Sequence, residues 1–360
     1  MRTITERRII TRTIMSILSI ILVLPAFART TPAGRLKARL AKIEKAGIMF
    51  GHHDDTFYGH NWHGVEGRSD VLETAGDYPA VMEFELSGYE SGRDKNIDGV
   101  PFKDIVREIV KHYQRGGVVA IDWHCPNLIL GKTAWDHEGD ETARFLDGDS
   151  QSKLDSAIAR VASFMASLKT EKGVIPVIFR PWHEMNGDWF WWGGKNTTPD
   201  LYRRLYRRTY DIVQKQCCGQ IVWAFCANLG AKSMDEYYPG DKYVDIVGID
   251  IYDFNNDAKA FADNTDKGLD MVCRFAKAHH KLAAMTETGC QQLPQTNWFT
   301  ETLWPVISRY PISYVLLWRN AWDNPKELYT PYKGHPTEPD FKRFVAEPRT
   351  LFVNDIKNIK

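Results

Sequence analysis

The sequence predicts an α/β protein folded as a single (β/α)8 TIM barrel, on three observations. Eight apolar runs of strand length recur along the chain, at 47–52, 80–86, 117–124, 174–179, 221–226, 244–252, 281–287 and 312–318. They are near-continuous in Val, Ile, Ala and Leu, as expected of parallel strands covered on both faces. Segments of helical periodicity lie between them, and 360 residues suit one large barrel. A doubly wound sheet is the competing arrangement, but no Gly-rich phosphate loop follows the first run.

The elements follow in order. Residues 1–28 are expected to be a secretory signal peptide. Arg2, Arg7, Arg8 and Arg12 precede an apolar stretch over 14–24, too short to span a bilayer, and Ala26-Phe27-Ala28 supplies a small-residue cleavage site. Residues 29–360 then form the catalytic barrel, with no low-complexity linker or short repeat from residue 30 onward. Within 154–168, Leu154, Ala157, Ile158, Val161, Met165 and Leu168 make one apolar helical stripe, and 101–116, 200–216 and 268–280 behave similarly. No cysteine lies near the cleavage site, so a lipoprotein anchor is not expected, and the chain is read as periplasmic, with secretion as the alternative. The mature chain is expected to lack a membrane span and to be a monomer. Lys plus Arg and Asp plus Glu are both 46, so nothing suggests a polyanionic partner, and nucleic-acid binding, which needs a basic face, is not expected. The scattered cysteines, Cys125, Cys217, Cys218, Cys226, Cys273 and Cys290, permit disulfides but specify no pairing and no C-x-x-C metal site.

In a barrel of this kind the chemistry sits at the C-terminal ends of the strands. Those ends read His52/His53/Asp54, Glu85, Asp122/His124, His183/Glu184, Asn228, Asp250/Tyr252, Glu287 and Trp318/Arg319. Glu184 and Glu287 end the fourth and seventh runs, which face one another across the mouth. Two facing carboxylates suit glycoside hydrolysis with retention, one as acid then base and the other as nucleophile. The acid needs a raised pKa, which the neighbouring Trp182 and Trp189 could provide by excluding water; Tyr252 or His183 could keep the nucleophile ionised. The 12 tryptophans fit a sugar-binding surface, although Trp191 and Trp192 read more as packing, and Arg180 and Asn186 as braces.

The stretches "RPWHEMNGDWFWWGG" (180–194), "GIDIYD" (248–253) and "MTETG" (285–289) resemble glycoside hydrolase family 26, chiefly β-mannanases, and the likeness extends over the mature chain. That resemblance implies Glu184 as acid/base and Glu287 as nucleophile. It implies His183 and Tyr252 beside the nucleophile or its sugar, Asp250 and Trp189 on the same sugar, Trp318 and Arg319 on neighbouring sugars, and His124 as a further substrate contact. The expected substrate is β-mannan or mannooligosaccharide, with xylan or mixed-linkage glucan as alternatives, and no cofactor is implied.

Other classes fit less well. His183-Glu184 begins an H-E-x-x-H zinc motif, but position 187 is Gly. "GHHDD" (51–55) puts His52 and His53 on opposite sides of a strand, so no metal is expected there. A catalytically inactive sugar-binding barrel would lose one Glu, and both are present. Long segments follow the first three runs, at 54–70, 87–100 and 126–150. They are expected to rise beside the mouth and close the cleft after about two sugars, favouring mannobiose release from chain ends over the internal cutting of an open-cleft endo-mannanase.

Overall fold

Each apolar run becomes a strand of one closed sheet in the computed structural model, which describes residues 30–230 and 233–359. The strands are β1 (Ile48–His53), β2 (Val81–Glu85), β3 (Val118–Trp123), β4 (Val177–Pro181), β5 (Ile221–Asn228), β6 (Ile246–Asp253), β7 (Leu282–Cys290) and β8 (Tyr314–Leu317). Every neighbouring pair is parallel, and β8 pairs back onto β1 at Met49↔Tyr314, closing the barrel. The expected signal peptide lies outside the described residues, among which no helix is long and apolar enough to cross a membrane. All six cysteines are unpaired thiols.

Two apolar layers follow from the period-2 direction of strand side chains. Phe50, Phe84, Ile121, Phe179, Phe225 and Val247 point outward into the layer shared with the helices. Met49, Val81, Ala120, Ile178, Val222, Ala224 and Leu316 belong to a second cluster, packed with Leu36, Leu40 and Ile43 of helix α1 (Pro32–Ala46). This second face is the lumen. Further along the strands, the same face becomes Glu83, Asp122, Arg180 and Asp250, all buried. The barrel is therefore apolar at its base and ionic beneath its mouth.

The helices mostly keep their expected places: α2 (Phe102–Arg115), α3 (Gln151–Ser167) and α4 (Pro199–Gln216). Thr198 caps α4 by accepting from the Leu201 amide, with Pro199 in the first turn. Two boundaries differ from expectation. Helix α5 (Ala258–Ala278) starts ten residues earlier than its apolar stripe, because Asp257 caps it through the Ala260 amide and its first turns are polar. The fourth strand starts at Val177, since Val174 is exposed in a short antiparallel hairpin (Lys169–Thr170 with Gly173–Val174).

Two local features aim the site. Opposite Ile249 and Asp250 of β6, the register of β7 jumps from Met285 to Glu287. Thr286 is the extra residue of a β-bulge, which re-aims the side chain that follows it. Gly248 makes room for this, because a Cβ there would lie 2.5 Å from the Thr286 side chain.

Candidate active site

Glu184 follows β4 on a backbone that non-glycine residues rarely adopt. Trp182 has φ 56° and Glu184 φ 54°, both left-handed, at a cost of about 1 kcal/mol or more each. Bonds on all sides hold the turn. The Trp182 carbonyl accepts from Tyr202 and the His183 carbonyl from Trp192 Nε1, both at 2.9 Å, while the Glu184 amide donates to the Cys226 carbonyl on β5 at 2.9 Å. Trp182 donates its own Nε1–H to Thr209 and packs edge-on against Trp191 and Trp192. These three indoles are fully buried and support the turn; they present no face to a sugar.

The Glu184 carboxyl lies between two donors. Trp189 Nε1–H donates to Oε2 at 2.6 Å and Asn228 Nδ2 to Oε1 at 3.0 Å. Gly187 is required for the first contact: a Cβ at 187 would lie 2.2 Å from the Trp189 ring, so the indole rests on bare backbone. The second is fixed by Asn186, whose side chain accepts from the Asn228 amide at 2.8 Å and donates to its carbonyl at 2.6 Å. Burial, aided by the charge of Glu287, pushes Glu184 up to about 7 against the pull of those two donors.

Glu287 is held differently. Arg180 Nη2 donates to Oε1, and the Tyr252 hydroxyl donates to Oε2 at 2.6 Å. Arg180 is fully buried and also binds Glu83 in bidentate fashion, at 3.0 and 3.1 Å, and Asp250 at 3.2 Å. Burial opposes its charge, yet these carboxylates outweigh burial and hold its pKa well above the ordinary value. Burial raises Glu83 to about 7 despite Arg180, and raises Asp250 and Asp122 well above the usual carboxylate range. Oxygens of Glu184, Asp250 and Glu287 lie within 4.8 Å of one another. Glu184 is 8 % exposed and Glu287 5 %: both can be reached from the mouth, and neither is freely hydrated.

The remaining predicted residues divide between the mouth and the layer beneath it. Tyr252 stacks on exposed Phe254, and Trp318 lies over the His53 ring at 4.0 Å. His124 is stacked at 5.2 Å on exposed Trp135 and is hydrogen-bonded through Nδ1 to Glu85. Two expectations, for His183 and Asp250, need correction. His183 does not touch Glu287; its Nε2 lies 3.2 Å from His124 Nε2, because the two flanking left-handed residues turn its ring toward β3. Asp250 is fully buried, with one oxygen on Arg180 and the other accepting from Thr286 at 2.6 Å, so it orients the cation and cannot contact a sugar. Arg319 is partly exposed and is held by Asp98 in the segment after β2, Glu327 at 2.6 Å after β8, and the Tyr58 ring after β1.

Three functional positions had been given no role from sequence: Asn228, Glu83 and Glu85. Glu83 lies two residues before a strand end already singled out, so the period-2 rule applied inward from the mouth would have found it.

Among the described residues, three acidic or His-containing groups are close enough to hold a cation: His53/Glu83/Asp122, Glu85/Asp122/His124 and Glu184/Asp250/Glu287. In the first and third, Arg180 already supplies the positive charge, bonded to Glu83, Asp250 and Glu287. In the second, His124 and Glu85 bond each other. These donor sets are internally matched and fit an ionic network better than a metal centre.

A (β/α)8 barrel with two carboxyls this close at its mouth, one raised toward neutrality and one gripped by Arg and Tyr, is a glycoside hydrolase by fold and site. The chain belongs to glycosyl hydrolase family 26, whose family model matches residues 28–329. A family 26 β-mannanase structure from Bacteroides ovatus superimposes with a TM-score of 0.88 at 38 % identity, covering 92 % of this chain and 98 % of that one. A mannan endo-1,4-beta-mannosidase of Bifidobacterium adolescentis is 29 % identical over 88 % of this chain, which spans only 34 % of that longer protein. One from Bacillus subtilis is 25 % identical, covering 74 % of this chain and 73 % of its own.

Proposed function

We propose that the protein is a retaining β-mannanase, hydrolysing β-1,4-mannosidic bonds with Glu287 as nucleophile and Glu184 as acid/base. The observation that carries this reading is the spacing and unlike surroundings of the two carboxyls. One oxygen of each within 4.8 Å of the other fits the ~5–5.5 Å carboxyl separation of retaining enzymes better than the wider spacing that admits the water of inversion. In the first step a Glu287 oxygen bonds to the anomeric carbon as the glycosidic C–O bond breaks, and Glu184 gives its proton to the departing oxygen. In the second, Glu184 takes a proton from water, whose oxygen displaces Glu287. Arg180 and Tyr252 stabilise the nucleophile before attack and as it leaves. The exposed faces of Trp189 and Trp135 suit apolar contact with sugar rings.

The finer reading is release of mannobiose from chain ends by an exported, periplasmic, monomeric enzyme. Arg319 ties together the segments after β1, β2 and β8, and Asn320 reinforces this by donating to Asp70 at 2.9 Å. A wall therefore rises on one side of the mouth. It differs from expectation in one strand, since the segment after β3 packs instead onto the turn after β4, through Trp191.

Proton NMR of the first product from a mannooligosaccharide tests the chemistry. A β-anomer is expected, and azide should partly rescue Glu184→Ala on a substrate with a good leaving group, giving a β-glycosyl azide. An initial α-anomer, or near wild-type rates in both Glu184→Ala and Glu287→Ala, would overturn the assignment.

A further inference from the structure

Glu85, His124 and His183 form a continuous buried line. Glu85 meets His124 Nδ1, and His124 Nε2 meets His183 Nε2 at 3.2 Å. His183 Nδ1, at the far end, is buried with no partner. The ends of the line are well defined. Glu85 Oε1 accepts from the Ser87 amide at 2.5 Å and the His124 amide at 3.3 Å. It is thus saturated by two backbone donors, and a proton on this carboxyl must sit on Oε2, pointing at His124.

With both rings neutral, a line of this kind has two self-consistent arrangements, because each imidazole nitrogen must donate or accept. With Glu85 ionised, His124 donates from Nδ1 to Oε2, and its bare Nε2 accepts from His183 Nε2–H. His183 Nδ1 is then a bare acceptor. With Glu85 protonated, Oε2–H donates to His124 Nδ1, His124 Nε2–H donates to His183 Nε2, and His183 Nδ1 carries the proton. One added proton, shifted along the line, converts the free end from acceptor to donor.

We propose that Glu85 is a positioning residue that sets, through His124, whether the buried His183 Nδ1 is a hydrogen-bond donor or an acceptor. Because that nitrogen is buried beneath the mouth, the coupling acts on the ring that precedes Glu184 and does not depend on the hydrolase reading above. The surroundings favour the protonated arrangement near neutral pH. Around Glu85 stand Asp54, Glu90, Asp98 and Asp122, all acidic, and burial together with Asp98 pushes Glu85 up to about 8. Against that arrangement stands Asp122 Oδ2, 3.5 Å from His124 Nδ1 and without a hydrogen-bond partner, which would accept from an Nδ1–H. Burial lowers the His183 pKa, and Arg180, His124 and His53 around it also oppose an added positive charge. His183 therefore changes tautomer as a neutral imidazole.

The Glu85→Gln variant tests this, because an amide in the same place keeps its oxygen for the backbone donors and turns its NH2 toward His124 Nδ1, imitating the protonated acid at every pH. Nitrogen-15 NMR of labelled imidazole rings, assigned with His124→Gln and His183→Gln, reads the tautomers directly. In the wild type, His124 should change from Nε2–H to Nδ1–H as pH rises through about 8, and His183 should follow. In Glu85→Gln both rings should stay in the Nε2–H (His124) and Nδ1–H (His183) forms throughout. Glu85→Asp, which shortens the reach to His124, should uncouple the two rings. Identical pH-dependent tautomers in wild type and Glu85→Gln, or rings that titrate independently in the wild type, would overturn the proposal. The spectra need no substrate, so this outcome is separate from any failure to hydrolyse mannan.

Discussion

Replacing Trp189 by Phe sets two effects on Glu184 against each other, and the structure decides between them. The indole donates its N–H to Oε2 at 2.6 Å, and its ring excludes water by lying over Gly187. Phe keeps most of the ring and removes the donor. A hydrogen bond to a charged acceptor contributes about 1.5–3 kcal/mol and one to a neutral acceptor about half that. The carboxylate form therefore loses about 1 kcal/mol more than the acid form, or roughly 0.7 of a pKa unit. Activity requires the acid form, so it is lost as pH rises through the Glu184 pKa, about 7 in the wild type. The alkaline limb of kcat/KM against pH, measured on a mannooligosaccharide, should move upward by roughly that 0.7 unit in Trp189→Phe, with a lower plateau. Asn228→Ala removes the donor to the other oxygen and should move the limb the same way. An alkaline limb that shifts downward would mean that desolvation by the indole, not its hydrogen bond, controls the acid. An unmoved limb would show that Glu184 is not the group titrating.

Two further variants probe the ionic floor and the wall. Glu83→Gln removes the bidentate partner of Arg180 but leaves Asp250 and Glu287, so kcat should fall roughly 10- to 100-fold by misplacing the nucleophile's donor. Urea unfolding should show a loss of about 3–5 kcal/mol, as when one partner of a buried pair is removed; wild-type kcat with intact stability would show that Glu83 is dispensable. Arg319→Ala unties Asp98 and Glu327 from each other. Early products from mannan should then shift from mannobiose to a ladder of longer oligosaccharides with a faster fall in viscosity, whereas an unchanged product pattern would remove Arg319 from control of the cleft.

The barrel was legible because eight parallel strands must all be apolar on both faces at their base, and that leaves an unmistakable rhythm. Boundaries were less so where an apolar residue stands outside the sheet, as Val174 does in its exposed hairpin, or where a helix begins on polar turns, as α5 does from Ala258. Glu184 and Glu287 could be picked out because a carboxylate ending an apolar strand has no packing role to explain it.

What sequence position could not give was pairing. Along a regular strand, alternation tells which face a residue occupies, but the residues that matter most here lie where regularity stops. Trp182 and Glu184 are left-handed, so His183 between them faces His124 on β3 instead of Glu287. The bulge at Thr286 shifts Glu287 by one residue against β6, and Asp250 thereby falls beneath the mouth. The consequence is electrostatic. Five carboxyls, Glu83, Asp122, Asp250, Glu184 and Glu287, surround one buried cation, and Arg180 bonds three of them. It leaves Glu184 to neutral donors from Trp189 and Asn228. Two chemically identical side chains within 4.8 Å are thus suited to opposite tasks by the allocation of a single guanidinium. That allocation depends on side-chain direction at a turn and a bulge, where the strand period that revealed the fold no longer applies.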